Sequence, residues 1–247
     1  MAVTVFMRLI KKEIRLDSAE LETKCIDLLR ASGVSNFCAE HTIRGLLFAS
    51  TRGIDSHGIR LLPHYLKVLE SGRINANPDF RFEQSAAAVG LLDADHSFGI
   101  PAGVVAMEHC IEMVQQSGVA MVSVKNSSHC GALSYFTSLA SQRGYIGFSA
   151  TGATPKLATP NAKKSFFGTN PICVVLPTGG EDFICFDSAM SMFTGNKVKL
   201  YSSLGKSLPE GVCCDSEGVP TCDSGLAQKL VPIGGYKGWG LAMLVDV

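Results

Sequence analysis

The chain has 247 residues, which at about 150 per domain makes one or two domains. Apolar residues are 46% and charged residues 18%, a composition that excludes an intrinsically disordered chain. Lys plus Arg and Asp plus Glu each number 22, so no net field draws nucleic acid or an anionic membrane surface toward it.

In chain order, Asp17 and Ser18 are N-cap residues, with Glu20 three positions after Asp17. Leu21, Cys25, Leu28 and Leu29 follow at helical spacing, and Gly33 closes the first predicted helix. A second helix is predicted from Asn36 to Arg52, with Cys38, Ile43, Leu46 and Leu47 facing inward. A third is predicted from Gly58, with Ile59, Leu62, Leu66 and Leu69 on one face, Pro63 in its early turns and Gly72 at its end. After Asn77-Pro78 the pattern changes. Val89 to Leu92 is a short apolar run, and Gly99 to Ser117 reads as a helix stopped by Gly118. Val119 to Val124 reads as a buried parallel strand, Ala132 to Arg143 as a helix, and Tyr145 to Ser149 as a strand. Residues 119–149 therefore read as a βαβ unit. Ile172 to Leu176 and Phe183 to Phe186 add two strands, and 202–225 reads as a long surface loop. The last ten residues read as a helix without a closing cap, the pattern of a domain cut short.

The fold class expected is thus α/β: a mixed β-sheet flanked by helices, with an N-terminal helical segment. Residues 1–80 form that segment, and 81–247 form an α/β domain that stops early. No Gly-x-Gly-x-x-Gly follows an early strand, so a Rossmann nucleotide site is not supported. The longest run free of charged side chains, Asn126 to Gln142, is too rich in serine for a membrane helix, and the N-terminus has no cleavable leader pattern. Nine cysteines with no Cys-x-x-Cys spacing argue against a disulfide framework or a zinc site, and for buried thiols in a reducing, cytoplasmic setting.

Five short motifs hold residues that could carry chemistry. Ser56-His57-Gly58 lies where a loop enters the third predicted helix, whose free N–H groups would suit a carboxylate and keep His57 neutral. Ser128-His129-Cys130-Gly131 follows a strand, at the end of an open sheet where ligands bind. A histidine there is a candidate acid or base, with an incidental His in a capping cluster as the plain alternative. Gly168-Thr169-Asn170-Pro171 reads as a turn, and Phe186-Asp187-Ser188-Ala189 ends a strand with an acid that can cap a helix or bind ribose hydroxyls. Tyr236-Lys237-Gly238-Trp239-Gly240 opens the final helix with glycines beside a lysine, though not at Walker spacing.

In this order the motifs, with Arg52-Gly53-Ile54-Asp55 ahead of Ser56, resemble those of the type 2 malate/L-lactate dehydrogenase family, the ureidoglycolate and sulfolactate dehydrogenase-like oxidoreductases. The resemblance runs from about residue 17 to the end. It implies a non-Rossmann fold, a nicotinamide cofactor (NAD or NADP), a small 2-hydroxy or 2-oxo acid substrate, and a homodimer. It also implies the site residues. His57 and His129 belong to the catalytic site with Ser56 and Tyr65, and Asp187, Ser188, Ala189 and Lys237 contact the cofactor. Many relatives carry an Arg five residues after the motif Ser to hold the substrate carboxylate. Here that position is Leu61, and Arg60 precedes it. One residue along a helix is about 100° of rotation, so Arg60 need not point the same way. The departure at Leu61 and the early stop leave a second reading open: a shortened, non-catalytic paralogue that binds cofactor or dimerises.

Overall fold

A computed structural model describes residues 16–159, 164–180 and 182–247. The fold is mixed α/β, with small sheets flanked by helices, and the chain forms two compact units. The first holds the described residues up to Gly147 together with Val175–Cys185. The second holds Phe148–Val174 and Phe186–Val247.

The first unit opens with α1 (Ser18–Ala31) and α2 (Asn36–Thr51). Asp17 caps α1 by accepting from the N–H groups of Ala19 and Glu20, and Ser35 caps α2 by accepting from Cys38 N–H. Their apolar stripes meet: Leu29, Ile43 and Leu46 are fully buried and join Ile59, Leu61, Leu62 and Tyr65 in one core. Each such side chain contributes roughly 1.5–3 kcal/mol by leaving water. Residue 80, where the sequence suggests a division, falls inside this unit: Ala76 and Phe80 pack on the same core.

Next come α3 (Leu62–Glu70), β1 (Arg81–Ala86), β2 (Val89–Asp93), α4 (Gly99–Ser117), β3 (Met121–Lys125) and α5 (Ser134–Gln142). Gly118 ends α4 in the left-handed conformation, with φ of 72°. β1 and β2 form an antiparallel hairpin, and β3 pairs parallel to β2 in the order β1-β2-β3. The crossover unit is therefore β2-α4-β3, not the segment 119–149. The strand after α5 belongs to a different sheet, because pairing partners are chosen across the chain rather than along it. β3 is also not the buried strand its composition suggests. It is the last strand of its sheet, and Met121 is 57% exposed.

β4 (Gly147–Ala150), β5 (Ile172–Pro177) and β6 (Phe183–Ser188) are ordered β4-β5-β6, and the unit boundaries fall within these strands. The second unit adds α6 (Gly195–Ser203), β7 (Cys213–Cys214), β8 (Lys229–Leu230) and α7 (Tyr236–Asp246). The segment 202–225 is not simply a surface loop. Leu208, Val212 and Cys213 are buried with Phe193 and Val198, and β7 pairs antiparallel with β8. A second core of this unit gathers Leu157, Met190 and Ala242, with Phe167 and Trp239 against it. Among the described residues, no helix is long and apolar enough to cross a membrane, and no group of three His, Cys, Asp or Glu side chains could hold a metal ion.

Candidate active site

The Ser56-His57-Gly58 motif sits in two 3-10 turns, Asp55–His57 and Ile59–Leu61, rather than at the start of a helix. Close packing sets this geometry. A Cβ on Gly58 would stand 2.3 Å from Ser50 Oγ, so only glycine lets the chain lie against α2. There Ser50 Oγ accepts from Ile59 N–H at 2.9 Å. α3 consequently begins at Leu62, with Pro63 in its first turn. The N–H of His57 donates to Ile54 O at 3.0 Å and that of Gly58 to Asp55 O at 3.4 Å. The motif therefore does not open an α-helix as expected, and the N–H groups of His57 and Gly58 are already engaged by the turn itself.

The His129 loop is placed by a second close approach. A Cβ on Gly99, the first residue of α4, would stand 2.1 Å from Ser128 O and 2.8 Å from Cys130 N. The loop therefore rests directly on the α4 backbone. α5 begins only at Ser134, so His129 belongs to the loop and not to the helix opening.

These two placements bring the predicted residues together within the first unit. The rings of His57 and His129 stack with centroids 5.6 Å apart and planes 11° apart. The hydroxyl of Tyr65, one turn into α3, lies 2.7 Å from His129 Nδ1 and 3.3 Å from the carbonyl oxygen of His129. Gly131 N–H donates to the same Nδ1 at 3.4 Å. Ser56 Oγ lies 2.9 Å from His57 Nδ1. Tyr65 is held from behind by Phe98, whose ring stacks on it at 5.6 Å and 15°.

Burial pushes the pKa of His129 down to about 4, and the positive charges that His57 and His64 can carry push the same way. The residue as a whole is nevertheless exposed to solvent. Burial raises the Tyr65 phenol, with Cys130 adding to the effect, so Tyr65 is an O–H and not a phenolate at neutral pH. Sequence reasoning missed Phe98, Gly99, Gly131 and His64. Only Gly131 sits in a motif, and the roles of all four come only from what lies against them.

Leu61 belongs to the helical core and cannot reach a ligand. Arg60 differs: its Nη1 is buried and has no hydrogen-bond partner among the described residues. Arg60 and Leu61 lie in a 3-10 turn, with about three residues per turn, so the α-helical offset of 100° does not relate them.

In the second unit, Asp187 and Ser188 end β6, and Ser188 Oγ donates to Ala189 O at 3.0 Å. The following Met190 N–H donates to Thr169 O at 2.7 Å. Asn170 of the Gly-Thr-Asn-Pro motif is more than a turn residue. It is fully buried, accepts from Ala153 N–H at 2.9 Å and donates to Ala242 O at 2.8 Å, tying α7 to the 153 loop. Gly234 and Gly235 lead into α7 with φ of 56° and 63°, and the exposed Lys237 stands in its first turn.

A model of the family described as malate/L-lactate dehydrogenase matches residues 16–247. The chain belongs to this family. Within the family it is 36% identical over 202 residues to an NAD(+)-dependent ureidoglycolate dehydrogenase of Escherichia coli, covering 82% of this chain and 58% of that protein. It is 32% identical to the L-sulfolactate dehydrogenase of Methanothermobacter thermautotrophicus, covering 93% of this chain and 68% of the relative. Among solved structures, the malate dehydrogenase of Entamoeba histolytica superposes with a TM-score of 0.89 at 26% identity, covering 94% of this chain and 68% of that one. The Δ1-piperideine-2-carboxylate reductase of Pseudomonas syringae gives 0.87 at 29%, covering 93% and 70%. The chain thus spans somewhat over half to about two thirds of the length of these family members.

Proposed function

We propose that this chain acts as an NAD(P)-dependent oxidoreductase on a small 2-hydroxy or 2-oxo acid. The observation that carries this reading is the cluster of two stacked imidazoles with a buried phenol bonded to one of them. Such a cluster can hold a substrate oxygen and move its proton, which is what interconversion of an alcohol and a carbonyl demands. A bound nicotinamide supplies the chemistry these side chains lack, taking or giving the hydride at the hydroxyl-bearing carbon.

The donor set at the start of α7 suits the anionic part of such a cofactor. Among the described residues no atom lies within 4 Å of where a Cβ of Gly235 would be, and Lys237 offers an exposed ammonium there. Asp187, Ser188 and Ala189 are the further residues assigned to the cofactor. The matched relatives include enzymes named for NAD(+) and for NADP(+), and both cofactors belong in the assay. Arg60 is assigned the substrate carboxylate. A guanidinium nitrogen buried without a partner among the described residues bears an uncompensated desolvation cost, which an anionic group relieves. The homodimer is proposed as the working form, to be checked by sedimentation equilibrium.

The test measures oxidation of NADH and NADPH with pyruvate, oxaloacetate and related 2-oxo acids, in the wild type and in His57→Ala and His129→Ala. Turnover by the wild type and its loss in both variants is the expected result. A folded wild type inactive with every pair would refute the assignment.

A further inference from the structure

We infer that the second unit carries a binding site for a phosphate group, in a cavity bounded by α6, the segment around Lys156 and the loop before β8, with Lys156 and Lys199 as its cationic residues. The inference does not depend on the proposed oxidoreductase chemistry. None of the residues assigned there to the cofactor lines this cavity.

The cavity has a volume of about 340 Å³, and backbone bonds hold its walls. Lys156 N–H donates to Phe167 O at 3.0 Å, and Lys156 O accepts from Leu230 N–H at 2.8 Å. On the wall made by α6, Thr194 caps the helix by accepting from Lys197 N–H, and Val198 is buried with Phe193, Leu208 and Leu230. The wall around Ser224 is held by Asp223. Its carboxylate accepts from Gly225 N–H at 2.7 Å, and its carbonyl accepts from Ala227 N–H at 3.1 Å. Walls fixed in this way lose little freedom when a ligand arrives.

The charges converge on this space. Gly195, Lys199 and Ser202 are spaced i, i+4 and i+7 and so share one face of α6. A Cβ on Gly195 would stand 3.7 Å from Lys156 Nζ, so the Lys156 ammonium lies against the first turn of the helix. Two ammonium groups therefore line one cavity, and no Asp or Glu lines it with them. Neither lysine forms an ion pair among the described residues. Lys197 is engaged elsewhere, with its ammonium 4.4 Å over the Phe193 ring. Ser203 Oγ donates to Leu200 O at 2.8 Å, which leaves Ser202 and Ser224 to offer hydroxyls to a ligand.

This set selects by charge. A phosphate monoester carries nearly two negative charges at neutral pH and presents three acceptor oxygens. Two ammonium groups balance that charge, and serine hydroxyls donate to the remaining oxygens. A carboxylate brings one charge and would leave one ammonium uncompensated. The lining also includes the buried apolar side chains of Val198 and Leu230, so the space suits inorganic phosphate or a phosphate bearing a few carbon atoms. Two sources carry this chemistry: a free phosphate or phosphate ester, and the 2′-phosphate that distinguishes NADP from NAD.

The experiment is isothermal titration calorimetry of the intact chain with inorganic phosphate at low ionic strength. It compares wild type, Lys156→Gln, Lys199→Gln, the double variant and Lys206→Gln. Lys206 is an exposed lysine outside the cavity and serves as the control. Wild type should bind phosphate saturably at one site and acetate far more weakly. Each cavity variant should weaken phosphate by about fivefold, the upper range for solvent-exposed charge pairs, and the double variant by more. Lys206→Gln should match wild type. All three lysines are exposed, and unchanged urea midpoints check that the variants keep the fold. A wild type without saturable phosphate binding overturns the inference. So does equal weakening by Lys206→Gln, and so does acetate binding as tightly as phosphate. Adding cofactor separates the sources. If phosphate competes with NADPH but not NADH, and the cavity variants weaken NADPH alone, the site takes the cofactor's phosphate. If phosphate binds equally with and without NADPH, the site takes a separate phosphate-bearing molecule. Either result upholds the site, and neither reads turnover, so failure of the proposed 2-oxo acid chemistry leaves this test intact.

Discussion

Gly99→Ala is the sharpest test of how the site is built. The added Cβ would meet Ser128 O at 2.1 Å and the backbone of His129 and Cys130 at 2.8 Å. These are backbone atoms that cannot rotate away. Ordinary contact needs more than about 3 Å, so the loop must move by roughly 1 Å off α4. That motion carries His129 away from Tyr65 and out of its stack on His57. A misplacement on the order of 1 Å can cost about a hundredfold in turnover, about 2.7 kcal/mol of barrier. Overpacking should also cost about 1–3 kcal/mol of stability. The assay pairs kcat/KM for 2-oxo acid reduction with urea denaturation, using Gly180→Ala as control, since among the described residues no atom lies within 4 Å of the new methyl there. If Gly99→Ala kept kcat/KM within twofold of wild type while Gly180→Ala behaved as expected, the claim that α4 positions the His129 loop would be wrong.

Other outcomes follow from the same contacts. Arg60→Met keeps the length of the side chain but removes its charge, and should raise KM for the 2-oxo acid about tenfold or more while changing kcat less, as steady-state kinetics would read. Because the folded pKa of His129 lies near 4, below the ordinary 6.5, the unfolded chain binds a proton there that the folded chain refuses. Its contribution to stability is therefore complete above about pH 6.5 and declines as the pH falls toward 4. The urea midpoint of wild type should drop more between pH 7 and 5 than that of His129→Gln. Asn170→Ala strands Ala153 N–H and Ala242 C=O, and should lose roughly 2–4 kcal/mol in urea unfolding.

Much of the local structure was legible in the residues themselves. Asp17 caps α1, a serine precedes Asn36 at the start of α2, and Gly118 stops α4 in a left-handed turn; each signal acts within a few residues and needs no partner elsewhere. The motifs around His57 and His129 were legible in the same way, as residue types in a given order, whereas Tyr65 entered only through the family resemblance. Tertiary structure alone decided the rest. β3 pairs back across α4 to β2 because strand pairing joins residues far apart in the chain. α3 starts at Leu62 because Gly58 lies on Ser50, and Leu208 and Val212 are buried because Phe193 and Val198 fold over them. The meeting of the two imidazole rings is likewise not written in either motif, because it needs a 3-10 turn and a loop about 70 residues further on to pack side by side.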